Sequence, residues 1–134
     1  MRHFLVDTNH LGAMLNDAFG TRRRVLQLVN QGYRFGTCVP VLCELEAGLL
    51  QTARYKKNRV RLGQLLKPVR LWPLELEDAD LFGQIYAELR AKGRVLSQVD
   101  MMLASLCRRR KLTLLTSDLD FLALPDIRTE NWLV

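Results

Sequence analysis

Apolar positions along this chain alternate between runs of strand length and stretches with helical spacing. Phe4-Leu5-Val6 is a short apolar run of strand length. Residues 10–18 then carry Leu11, Met14 and Leu15 at helical spacing, and residues 21–31 carry Val25, Leu28 and Val29 in the same way, with Gly32 placed to end the helix. Residues 34–39 read as a second strand. Pro40 suits the first turn of a helix that runs to about Leu50. Residues 54–66 form a basic helix whose apolar side is Val60, Leu62, Leu65 and Leu66. Residues 69–74 read as a third strand, with Pro73 near its end. The clearest helix covers residues 76–92: Ala79, Phe82, Ile85, Tyr86 and Leu89 share a stripe, and Gly93 stops it. Ser97 caps a helix over residues 98–109. Residues 112–116 are a fourth strand, residues 120–122 a turn of helix, and residues 128–134 a last edge strand. This alternation predicts an α/β fold with a parallel sheet of four to five strands covered on both faces. No internal repeat, low-complexity run or linker interrupts it.

The chain has 134 residues, a length that predicts one domain over residues 1–134. No apolar run approaches the ~20 residues of a membrane span. Asp7 falls where a signal peptide needs apolar length, so a cytoplasmic location is expected. Cys38, Cys43 and Cys107 each sit in apolar context and read as reduced core thiols. His3 and His10 are the only histidines, too few for a zinc site built on imidazole.

The formal charge of +6 favours an anionic partner only weakly, but its placement is more telling. There is no carboxylate between Asp17 and Glu44, where Arg22, Arg23, Arg24 and Arg34 lie. There is none between Glu46 and Glu75, where Arg54, Lys56, Lys57, Arg59, Arg61, Lys67 and Arg70 lie. A third basic cluster covers residues 108–111. Each cluster alone reads equally as a solvated helix face or a helix C-terminus suited to the macrodipole. Together they point to a polyanion-binding face.

Most acids lie in polar settings. Glu75, Glu77, Asp78 and Asp80 open a helix, and Glu88 precedes Lys92 by four residues as a surface pair. Asp7, Glu44, Asp100 and Asp118 instead sit in apolar surroundings, which is costly without a partner. Asp7 and Asp118 fall at the carboxyl ends of predicted strands, where open α/β sheets bind ligands. Asp100 and Glu44 fall in the first turns of helices that start near the same edge. Each acid also has a local reading: Asp7 and Asp118 as helix caps, Glu44 as a dipole partner, and Ser97-x-x-Asp100 as a capping box with aspartate replacing glutamate. As a set they suit a divalent cation with oxygen ligands, Mg²⁺ or Mn²⁺. Without a pair of catalytic imidazoles, the acids point to metal-assisted phosphodiester hydrolysis and the bases to a nucleic-acid substrate.

These residues also carry a family resemblance. Leu5-Val6-Asp7-Thr8-Asn9 resembles the first motif of the PIN domain family, Glu44-Leu45-x-x-Gly48 the second, and Leu96-Ser97-x-x-Asp100-x-x-Leu103-Ala104 the third. Leu115-Thr116-Ser117-Asp118-x-Asp120-Phe121 resembles the fourth, and Leu124-Pro125 with Glu130-Asn131-Trp132 is similar to the tail of VapC-type toxins. The resemblance implies a three-layer α/β/α fold and a Mg²⁺- or Mn²⁺-dependent endoribonuclease, usually the toxin of a toxin–antitoxin pair. It implies Asp7 and Asp100 as metal ligands, completed by Asp118 or by Asp120. Glu44 is implied to bind metal through water or to help activate the nucleophile. Thr8 and Ser117 are implied to orient carboxylates or waters. A homodimer is implied, with an antitoxin whose tail covers the active-site groove in a higher assembly. Arg22, Arg23, Arg24, Lys56, Lys57, Arg59 and Arg61 are the candidates for gripping RNA phosphates.

The main alternative is a PIN-like module that binds a partner or nucleic acid without turnover. A receiver domain would need paired acids after the first strand and an aspartate near the end of its third. A haloacid-dehalogenase phosphatase would need two aspartates spaced by one residue, but position 9 is Asn9.

Overall fold

The computed structural model describes residues 2–134. At its centre lies β1 (Phe4–Val6), buried along its whole length. A strand this apolar is stable only with both faces covered, and each fully buried side chain of this size contributes about 1.5–3 kcal/mol. The other strands are β2 (Phe35–Thr37), β3 (Arg70–Leu71), β4 (Thr113–Leu115) and β5 (Thr129–Glu130). All pair in parallel, in the order β3-β2-β1-β4-β5.

Helices occupy the crossovers: α1 (Thr8–Leu15), α2 (Thr21–Asn30), α3 (Val39–Leu50), α4 (Tyr55–Leu65), α5 (Leu76–Ala91) and α6 (Gln98–Arg110). Short 3₁₀ turns cover Ala18–Gly20 and Leu119–Ala123. The α/β class, the parallel pairing and the order of elements match the sequence expectation. Gly32 and Gly93 follow α2 and α5 at φ of 96° and 65°, left-handed values that glycine adopts without strain.

Several local expectations need correction. The last strand is Thr129–Glu130 only, and β3 is a two-residue exposed edge. Val60 and Val29 are exposed rather than facing the core, and so is Tyr86. Cys38 and Cys107 are buried free thiols, but Cys43 is exposed on α3. Helical spacing places residues on a common face but does not say how wide a stripe the neighbouring elements cover.

The basic cluster at the end of α6 proves to be mostly internal bracing. Arg108 donates to Asp126 at 2.7 and 2.8 Å and to Glu88 at 2.7 Å. Glu88 is therefore claimed by α6 rather than by Lys92, whose Nζ donates to the Ala123 carbonyl. Arg109 forks onto both oxygens of buried Asp78 at 2.8 Å, while Asp78 also accepts the Glu75 N–H at the start of α5. Arg110 stacks over Trp72.

Both carboxyls so held titrate below the usual carboxylate range. For Asp126 the Arg108 hydrogen bonds prevail over burial. For Asp78, burial pushes upward, but the bonds from Arg109 and the Glu75 backbone together outweigh it. A depressed carboxyl contributes stability that is complete above its unfolded pKa, near 3.9, and is lost as pH falls through the lower folded value. Thermal melts between about pH 5 and 3 should therefore show a falling midpoint, and Asp126→Asn should make that slope shallower. An unchanged slope in the variant would contradict this account.

Candidate active site

The strand order reverses direction at β1. The chain builds outward from β1 through β2 to β3, then crosses back to lay β4 on the other side. Such a switch point opens a crevice at the carboxyl ends of the two central strands. Asp7 directly follows β1, and Asp118 lies three residues beyond β4. Asp100 is in the first turn of α6. Glu44 lies in the second turn of α3 rather than the first, because that helix begins at Val39, before Pro40.

These four acids share one neighbourhood. Burial pushes the carboxyl of Asp100 upward, a hydrogen bond from Ser97 opposes this, and the charges of Asp118, Glu44 and Asp7 push it up further. The net direction is upward, as expected of a carboxylate facing like charges. None of the four pairs with an arginine or lysine among the described residues.

Each acid is anchored by a short local contact. Asp7 caps α1: its Oδ1 accepts the His10 N–H at 2.8 Å and stands 3.1 Å from His10 Nδ1. Thr8 Oγ1 donates to Glu44 Oε1 at 2.8 Å, which ties α1 to α3 across the site. Ser97 Oγ accepts the Asp100 N–H at 3.1 Å, so Ser97 caps α6. Asp118 Oδ1 accepts the Asp120 N–H at 2.8 Å, and the Asp118 N–H is held by Thr116 Oγ1. The capping readings of Asp7 and Asp118 thus coexist with the cluster, since a cap occupies only one carboxylate oxygen.

Other candidates are placed differently. Ser117 is exposed and makes no side-chain hydrogen bond among the described residues; buried Thr116 supports Asp118 instead. Asp120 is exposed and 3.8 Å from Arg94. Arg22 and Arg61 both donate to the final carbonyls of α1, at 2.6–2.8 Å. Arg24 lies over the Trp132 ring and Arg59 donates to Tyr55 Oη. Arg23, Lys56 and Lys57 are exposed with no hydrogen bond or ion pair among the described residues. His10, Thr116 and Trp132 add support that the motifs do not assign: His10 contacts Asp7, Thr116 holds the Asp118 N–H, and the Trp132 N–H donates to His10. His10 was legible in the three-residue spacing from Asp7, which puts both on one helix face.

A groove of 560 Å³ leads from Thr8 and Glu44 between α1 and α3 toward Thr52 and Asn58. A more apolar cavity of 290 Å³, lined by Met14, Val25, Phe35 and Leu65, borders none of the four acids.

The donor set fits a hard divalent cation: every candidate ligand is an oxygen, and no arginine or lysine among the described residues neutralises the group. No three His, Cys, Asp or Glu side chains among the described residues are already gathered around one point.

Comparison with known proteins gives a concordant picture. The PIN domain family model matches residues 4–127. Ribonuclease VapC2 of Rickettsia felis is 23% identical over 130 residues, spanning 96% of this chain and 97% of its own. The structure of VapBC2 from Rickettsia felis bound to a DNA fragment from its promoter superposes with a TM-score of 0.86 at 22% identity, covering 96% of this chain and 98% of the other. DNA-bound VapBC from Salmonella typhimurium superposes with a TM-score of 0.83 at 27% identity, covering 98% of this chain and 99% of the other.

Proposed function

This chain belongs to the PIN domain family, and from that premise we propose that it is a divalent-metal-dependent endoribonuclease acting as the toxin of a toxin–antitoxin pair. The observation that carries the reading is the acidic set at the switch point, where Asp118, Glu44 and Asp7 push on Asp100 and no arginine or lysine among the described residues pairs with any of the four. The matched Ribonuclease VapC2 supports RNA as substrate, and the VapBC complexes support an antitoxin partner. The same premise carries one domain over residues 1–134, a homodimer that joins the antitoxin in a higher assembly, and a cytoplasmic location. No helix among the described residues is long and apolar enough to cross a membrane.

Asp7, Asp100 and Asp118 are the residues that would hold Mg²⁺ or Mn²⁺. A bound ion of this kind makes water a better nucleophile and offsets the charge that grows on a phosphodiester under attack. Glu44, which accepts the Thr8 hydroxyl, would orient the attacking water and take its proton. Water oxygen would add to phosphorus as Glu44 takes its proton, one phosphorus–oxygen bond to ribose would break, and the departing oxygen would take a proton from solvent. Arg23, Lys56 and Lys57 are the candidates with charge free to grip flanking phosphates, contacts that hold RNA without reading its sequence. Arg22 and Arg61 chiefly brace α1.

Incubating the purified chain with total RNA tests the reading. Cleavage is expected with Mg²⁺ or Mn²⁺, should stop with EDTA, and should return when excess Mn²⁺ is added. Cleavage that persists undiminished in EDTA would refute the metal dependence. Ion binding without cleavage of any RNA would favour the non-catalytic module.

A further inference from the structure

His10 is completely buried, yet both of its ring nitrogens have partners. The Trp132 backbone N–H points at Nε2 from 3.0 Å. A backbone amide can only donate, so Nε2 must accept and the ring proton must sit on Nδ1. Nδ1 lies 3.1 Å from Asp7 Oδ1, which already accepts the His10 backbone N–H at 2.8 Å. One residue thus places two donors on one oxygen of Asp7. The other oxygen, Oδ2, has no hydrogen bond among the described residues and is not sealed from solvent.

We propose that His10 is a positioning residue that locks the Asp7 carboxylate, holding Oδ1 and presenting Oδ2 to the cation, with the Trp132 amide setting its tautomer. This deepens the reading of Asp7 as a metal ligand and rests on it. A backbone cap alone would leave the carboxylate free to turn about its own axis; a second donor from a rigid ring fixes that angle. The ring cannot turn either, because its far nitrogen is held by the segment after β5. Trp132 is itself anchored: its indole is buried edge-on against Phe4 and Phe35, and its Nε1 donates to Glu130 at 3.1 Å. The support of Asp7 therefore runs from the last strand, through an imidazole, to the end of the first. Groups that orient ligands in this way typically change metal affinity 10–100-fold when removed.

Two measurements test the proposal. The chain has only two histidines, and they should be opposite tautomers. His3 Nδ1 accepts the Arg34 N–H at 3.1 Å, so its proton belongs on Nε2, whereas that of His10 belongs on Nδ1. Long-range ¹H–¹⁵N spectra of the ¹⁵N-histidine-labelled chain near neutral pH resolve the two patterns. A His10 protonated on Nε2 overturns the proposal without any variant.

The second measurement is Mn²⁺ binding followed by electron paramagnetic resonance. His10→Phe removes both ring contacts and should weaken binding about 10–100-fold. His10→Asn retains a side-chain N–H near the Nδ1 position and should bind closer to the wild type. Wild-type affinity in folded His10→Phe overturns the positioning role alone. A wild type that binds no Mn²⁺ overturns the metal reading itself, and the positioning role with it.

Discussion

Asp100→Asn is expected to lower RNA cleavage by at least about a hundredfold while leaving the fold intact. A ligating carboxylate supports several kcal/mol of charge stabilisation in the transition state, and each 1.4 kcal/mol is about tenfold in rate. The fold should survive because the Asp100 backbone N–H that Ser97 Oγ caps is kept, and asparagine retains a side-chain oxygen for the Ser97 hydroxyl. Removing this charge also relieves its repulsion with Asp118, Glu44 and Asp7. In EDTA the variant should thus melt no lower than the wild type. Divalent ions should reverse the order: saturating the wild-type site a hundredfold above Kd adds about 2.7 kcal/mol, a rise of several degrees in melting temperature. The variant should show little of that rise. Scanning calorimetry with and without Mn²⁺, beside a single-turnover cleavage assay, measures both effects. A variant that cleaves at the wild-type rate removes Asp100 from the site.

Gly36→Ala is expected to produce the largest loss of stability, about 2–4 kcal/mol. Gly36 sits in the middle of β2, and the Trp72 indole lies flat across it. A methyl group there would stand 2.1 Å from Trp72 Nε1 and 2.5 Å from its Cδ1. Through this gap the Trp72 Nε1–H reaches over β2 to donate to the Phe4 carbonyl on β1, at 3.1 Å. Trp72 is buried and Arg110 covers its ring, so the indole has little room to retreat. The methyl group would both force the ring away and break its hydrogen bond. Melting temperature should fall by roughly 10 °C for a chain of this size. Replacing Trp72 with leucine in the alanine variant should recover part of the loss, because the two substitutions act on one contact. Additive losses would show that the clash is relieved elsewhere.

The sequence made some of this legible and hid the rest for identifiable reasons. The Phe4-Leu5-Val6 run placed Asp7 at the end of a buried strand, since three consecutive apolar residues suit a strand covered on both sides. Ser97 and Asp100 carried the start of α6 in their three-residue spacing. The arginine clusters were less informative. Arg22 and Arg61 look like surface charge in the sequence, yet their guanidinium groups close the end of α1 from residues seven or more positions away. Arg108 and Arg109 likewise hold acids 18 to 31 residues distant. Composition counts such charges but cannot say which are neutralised internally. Thr116 rather than Ser117 supports Asp118: buried Thr116 Oγ1 accepts the Asp118 N–H, whereas Ser117 is exposed.

By itself, the order of apolar and polar residues determined the α/β class and the four acids worth following, because helix and strand formation depend on interactions within a few residues, and their alternation calls for parallel pairing. Only the tertiary structure decided that β4 lies beside β1, which brings Asp118 to Asp7 across more than a hundred residues. It alone gave His10 a partner in Trp132, 122 positions away. The physical reason is burial: polar groups removed from water must find partners, and the close-packed core dictates which distant groups are within reach.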